Sequence, residues 1–178
     1  MPDGASAIVA LREDAVQAIE LDTDARAAGV TIETLGALVD RDPDAARLLL
    51  SSGALPTEDR LAQLTRAGWN QGVHIRVPAG KRLDRPIVVR WGAGAPGRAL
   101  LTRTIVELGE GAAASVLEEL VPSGPEIACA EGETVPQSLF TGTLEVHLAA
   151  GAELAVASIQ DFGPRQIVFE HRNASIGE

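Results

Sequence analysis

Three histidines, His74, His147 and His171, a lone Cys129 and the adjacent acids Glu118 and Glu119 have the residue types for metal binding, nucleophilic attack or acid–base work in this 178-residue chain. A metal site needs ligands gathered on one face, and the H-x-H spacing that would put two imidazoles together is missing. Glu145 and His147 are two apart in a period-two segment, so they share a face and make a two-ligand start. Such pairs also arise on an ordinary solvated strand. The missing H-x-H argues against a cupin as well. Cys129 lies in "PSGPEIACAEGETVP". Acids around a thiol and no histidine near it in sequence raise its pKa, which suits an incidental free thiol better than a nucleophile or a sulfur acceptor. Adjacent Glu118 and Glu119 face opposite sides of a strand and make no carboxylate dyad. "GAGAPGRA" (92–99) has the composition of a phosphate loop but lacks G-x-x-x-x-G-K-[ST] and no helix follows it, so it reads as a connection between strands. There is no G-x-S-x-G. No catalytic, cofactor-binding or metal-ligating residue is assigned.

These residues sit in a chain of net charge −10 that is 46% hydrophobic but only 3% aromatic, with no Tyr. Its length suits one domain, and its core must be built from Ala, Val, Leu and Ile. One cysteine excludes an internal disulfide. No run approaches the roughly 20 apolar residues of a membrane helix, and the N-terminus lacks a basic region before an apolar one. A cytoplasmic location is the expectation. Charge is uneven: residues 1–60 carry 12 acids and 5 bases, residues 61–104 carry 1 and 8, and residues 105–178 carry 12 and 2. The central basic belt, 76–103, is expected to face acidic surface elsewhere in the chain. Overall acidity repels a nucleic acid, and no aromatic platform for bases sits among the arginines.

The elements that position these residues change type near residue 70. "SAIVAL" and "AVQAIEL" read as a hairpin around Arg12-Glu13-Asp14. "TDARAAG" reads as a short helix ended by Gly29. In "TIETLGALVDRDPDAARLLLSSG" (31–53), Thr34 is an N-cap, Leu35, Leu38 and Val39 recur at helical spacing, and Asp42-Pro43 starts a second helix that runs towards Gly53. In "PTEDRLAQLTRAGW", Thr57 is the expected cap and Leu61, Leu64 and Trp69 the expected buried face. From residue 73 the period is two: VHIRV, PIVVRW, ALLTRTIVEL, AASVLEEL, SLFTGTLEVHL, AELAVASIQ and RQIVFEH. Val73, Ile75 and Val77 point one way and His74 and Arg76 the other. Ile87, Val89 and Trp91 point inward and Arg90 outward.

"IRVPAGKRLDRPIVV", "VELGEGAAASVLEEL" and "VHLAAGAELAVASIQ" form a weak repeat: a strand ending in Val or Leu, two residues, a Gly, and a second strand. The glycines, 80, 111 and 151, are 31 and then 40 apart, too irregular for a propeller or hexapeptide array. They suit a β-helix with uneven rungs, a barrel or a sandwich.

The stretch N-x-G-[aliphatic]-x-[IV]-x-V-P-x-G-x-x-[LV]-x-x-P-I at residues 70–87, with the "LGEGA" and "AxxGAEL" turns, resembles the SufB/SufD family of iron–sulfur cluster assembly proteins. The likeness runs from about residue 6 to the end. It implies a mainly β fold: a small N-terminal α/β region (1–69), then right-handed parallel β-helix rungs (70–178). It implies a non-catalytic scaffold that pairs with a SufB/SufD-type subunit and a SufC-type ATPase in an oligomer, with no nucleic acid or membrane partner. An iron–sulfur cluster would belong to the assembled complex, with no ligand identified in this chain. Family members are roughly twice as long, and their assembly-site residues lie toward the C-terminus, so the chain resembles a member cut in the middle of the solenoid. The short N-terminal region and scarce cysteines lean toward SufD. Two rivals are a carbohydrate-active β-helix enzyme, which needs paired carboxylates and aromatic platforms, and an anion-binding module using Arg76, Arg82 and Arg90.

Overall fold

The structure is a computed structural model that describes residues 4–52, 58–124 and 136–177. Cys129, Thr57 and Gly53 lie outside the described residues.

Two apolar runs form the hairpin β1 (Ala7–Arg12) and β2 (Ala15–Leu21), as the sequence predicts. α1 (Thr23–Ala27) is capped by Asp22, whose carboxylate accepts from the Ala25 N–H at 2.6 Å. The short strand β3 (Thr31–Thr34) is not evident in the sequence; it runs into α2 (Leu35–Arg41), which Thr34 caps. Asp42 caps α3 (Pro43–Ser51), with Pro43 at the first helical position.

α4 (Arg60–Gly68) departs from expectation in two ways. Its cap is Asp59, whose side chain accepts from the N–H groups of Leu61 and Ala62. Its buried residues are the short Ala62 and Thr65, while Leu64 is 45% exposed. Small side chains let the helix approach the sheet beneath, where the Thr65 hydroxyl meets that of Thr141 at 2.8 Å.

The remaining strands are β4 (Gln71–Val77), β5 (Ile87–Ala93), β6 (Ala99–Leu108), β7 (Ala113–Pro122), β8 (Ser138–Leu148), β9 (Glu153–Gln160) and β10 (Gln166–Ile176). The described strands form two five-stranded sheets, in the orders β2-β1-β5-β7-β9 and β10-β8-β6-β4-β3. From β4 onward, successive strands alternate between the sheets, and every pairing among these strands is parallel. The N-terminal elements are part of the same sheets: β1 runs parallel to β5, and β3 antiparallel to β4.

The core lies between the sheets and follows the predicted phases. Val73, Ile75 and Val77 face Ile87, Val89 and Trp91 across an interior joined by Val106, Leu120, Phe140 and Leu144. Each such side chain contributes roughly 1.5–3 kcal/mol on burial. A second apolar cluster, Leu35, Leu38, Ala46, Leu49 and Ile105, fastens α2 and α3 to the outer face of the second sheet.

The three repeat glycines stack. Gly80, Gly111 and Gly151 have φ of 68°, 62° and 67°, a region open to Gly and costly to other residues. The Gly80 N–H donates to Glu110 O and the Gly111 N–H to Ala150 O, so each turn hydrogen-bonds to the next. The weak sequence repeat is thus a ladder of turns along one side of the molecule.

Candidate functional site

Parallel pairing lines up polar side chains in rows across the outer face of the second sheet, about 4.8 Å from strand to strand. One row is Arg76, Glu107, His147 and Ser175. The next is His74, Ile105, Glu145 and Asn173, with Glu33 of β3 opposite His74. The third is Gly72, Arg103, Thr143 and His171.

Most of these groups are engaged. The His74 Nε2–H donates to Glu107 Oε2 at 2.7 Å, and its Nδ1 lies 3.8 Å from Glu33, which also accepts two hydrogen bonds from Arg41. The His74 hydrogen bond holds the Glu107 carboxyl below its ordinary range, helped by the charges of His74, His147 and Arg76 and opposed by burial. Arg103 and Glu145 are 2% and 1% exposed, and Arg103 also donates to Leu50 O of α3 at 3.4 Å. The guanidinium donates from Nε and Nη2 to the two carboxylate oxygens at 2.8 and 2.9 Å, and Thr143 adds a third bond to the acid at 3.3 Å. This bidentate geometry is what lets two charges stay buried.

Glu145 and His147 do share a face, as the spacing requires, but Glu145 is committed to Arg103. Among the described residues no three His, Cys, Asp or Glu side chains gather to hold a metal ion. Glu107, His147 and Ser175 have the types of an acid–base–nucleophile relay. However, Glu107 is taken by His74, and the His147 Nε2 has no hydrogen-bond partner among the described residues. A relay needs its base bonded to its nucleophile. His171 lies 3.4 Å from Asp59, the cap of α4, whose carboxyl is lowered first by the Ala62 N–H. The row of Arg76, Glu107, His147 and Ser175 borders an open groove of about 460 Å³.

Glu118 and Glu119 face opposite sides, as predicted. Glu119 is outside, paired with Arg90 at 2.6 Å. Glu118 is 5% exposed between the sheets, where it accepts from Thr104 at 3.4 Å and lies 3.7 Å from Arg172. Burial pushes its carboxyl up to about 7; the nearby Glu170 adds to this, and Arg172 and Thr104 oppose it.

The basic belt meets acid from its flanks. Arg82 pairs with Glu153, Arg85 with Asp22, Arg90 with Glu119, Arg98 with Asp14 and Arg103 with Glu145. "GAGAPGRA" is a connection, joining the end of β5 to the start of β6.

Two buried charges escaped the sequence reading. Arg103 is in phase with Leu101 and Ile105, so the outward face of "ALLTRTIVEL" is itself apolar. That pattern signals a covered face and a charge that needs a partner. Glu118 is in phase with Val116 and Leu120, which is enough to place it inside.

No family model matches the chain, and no curated protein matches it.

Proposed function

We propose that this chain is a scaffold subunit of an iron–sulfur cluster assembly complex of the SUF type, SufD-like rather than SufB-like, built on a right-handed parallel β-helix. The observation that carries this reading is how residues 70–87, on which the resemblance rests, are used. Asn70 donates to Ala99 O at 2.9 Å and accepts from the Leu101 N–H at 3.0 Å, tying the start of one coil to the next. Gly72 passes beneath Leu35, where a Cβ would fall 2.4 Å from a methyl group. Val73, Ile75, Val77 and Ile87 fill the core, and Gly80 makes the turn. These seven fixed positions of the stretch thus each have a task in a stacked coil. The parallel pairing of β4 to β10, alternating between two sheets, supports the β-helix form, and the right-handed sense is the one the rule for parallel crossovers favours.

The polar rows support a scaffold over an enzyme, because their acids are already spent, Glu107 on His74 and Glu145 on Arg103. The carbohydrate-active alternative loses its pair of acids, since Glu118 and Glu119 lie on opposite sides of a sheet. The anion-binding belt loses Arg82 and Arg90 to carboxylates.

In this reading the edges at β9 and β10 receive the strands of a SufB-type subunit, and the cluster is the cargo of the assembled complex. No described helix is long and apolar enough to cross a membrane. The test is co-expression with a SufB-type subunit and a SufC-type ATPase, followed by native mass spectrometry and anaerobic cluster reconstitution. The expected result is a complex of defined stoichiometry whose iron and acid-labile sulfide exceed those of the SufB-type subunit alone. A folded chain that associates with neither protein overturns the proposal.

A further inference from the structure

At the side of the molecule where β1, β5, β7 and β9 end, the connections line a half-open cavity of about 450 Å³. This is the size of pocket that takes a small organic ligand. Its walls are fixed by side-chain hydrogen bonds to backbone. The Ala95 N–H donates to Glu13 at 2.8 Å. Gln166 donates to Ala93 O at 2.7 Å and accepts from the Gly163 N–H at 2.8 Å, joining two connections through one amide. Phe162 lines the cavity and is itself braced by Phe140, with ring centroids 5.4 Å apart. Pro96 and Pro136 add rigid apolar surface.

Two arginines, Arg12 and Arg165, line this cavity, and neither has an ion pair among the described residues. What sets these two apart from the other arginines is that they border one pocket. Asp161 also lines it, so the described lining residues carry one net positive charge. Guanidinium groups favour carboxylate and phosphate, the ring and prolines favour an apolar body, and Asp161 favours a hydrogen-bond donor on that body.

We propose that this cavity binds a small organic anion: an aromatic or heteroaromatic ring bearing a phosphate or carboxylate, held through Arg12 and Arg165. The site is independent of the scaffold assignment.

The test is titration of the full chain with AMP, indole-3-acetate, adenosine and inorganic phosphate, followed by calorimetry. AMP, indole-3-acetate or both should bind with Kd of about 1 mM or tighter, and the result says whether phosphate or carboxylate is preferred. Adenosine and inorganic phosphate should each bind at least about tenfold more weakly, because one lacks the charge and the other the ring. The double variant Arg12→Gln/Arg165→Gln should lose at least about tenfold for the ligand that binds. The proposal is overturned if neither ring anion binds, if adenosine or phosphate matches the better one, or if a folded double variant binds as wild type does. Should the variant unfold, arginine modification by phenylglyoxal on the wild-type chain decides, read by peptide mass spectrometry. Protection of Arg12 and Arg165 by the better ring anion supports the site, and unchanged modification overturns it.

Discussion

Glu118 is held between the sheets with one hydroxyl and one guanidinium near it, too little to replace the water it has lost. Its native pKa of about 7 stands above the ordinary 4.5. A raised acid gives its stabilisation below the unfolded value and loses it as pH rises through the native one. The native state therefore holds a proton between pH 4.5 and 7 that the unfolded chain releases. Over that window folding stability should fall by about 3 kcal/mol on this group's account. Urea denaturation of wild type and Glu118→Gln at pH 5 and pH 8 checks this: the variant should show a much flatter dependence. Equal slopes in the two proteins would place the titration elsewhere. Glu107 works in the opposite sense. Its lowered pKa adds stability above the ordinary value that is lost on acidification, so only the difference between variant and wild type isolates Glu118.

At the scale of elements, the turns set the spacing of the stacked strands, and two glycines in one turn do so for different reasons. Gly111 has positive φ but open space around its missing side chain. Gly109 has an ordinary backbone, but a Cβ there would lie 2.5 Å from the Ala79 nitrogen and 2.8 Å from its Cα, in the turn stacked against it. Gly111→Ala should therefore cost about 1–2 kcal/mol from backbone conformation alone. Gly109→Ala should cost more, about 2–3 kcal/mol, because two turns must separate. Urea midpoints at unchanged m-value give both numbers, and the reverse order would mean that the stacked turns yield easily. α4 shows a different element-scale effect: its position is set by the small Ala62 and Thr65, against the pull of the larger Leu64 toward burial.

At the scale of the molecule, both sheets end in open strands among the described residues, β9 in one and β10 in the other. Ile159 is 53% exposed, Phe169 40% and Ile176 72%. Open edges with apolar side chains pair with other strands unless charge prevents it. The chain on its own should self-associate, with light scattering after gel filtration giving a mass that climbs with concentration. The variant Ile159→Lys/Phe169→Lys should lower that mass toward the monomer. A wild-type chain that stays monomeric at high concentration would remove these edges as an interface.

The period-two runs, the Gly turns, the Asp42-Pro43 break and the inward phase of Val73, Ile75, Ile87 and Trp91 were legible in the sequence, because each depends on side-chain alternation or backbone freedom within a few residues. The sequence also set the opposite directions of Glu118 and Glu119 and the shared face of Glu145 and His147. It did not set what those groups meet. Arg103 finds Glu145 across 42 residues, Arg82 finds Glu153 across 71 and Arg98 finds Asp14 across 84. Such pairs are chosen by how strands and turns far apart in the chain stack on one another, and no local pattern encodes that stacking. The cap at Asp59 and the exposure of Leu64 were likewise decided by where α4 meets the sheet. Local chemistry determined the elements; stacking decided which charges are buried, which are paired, and which two arginines border one cavity.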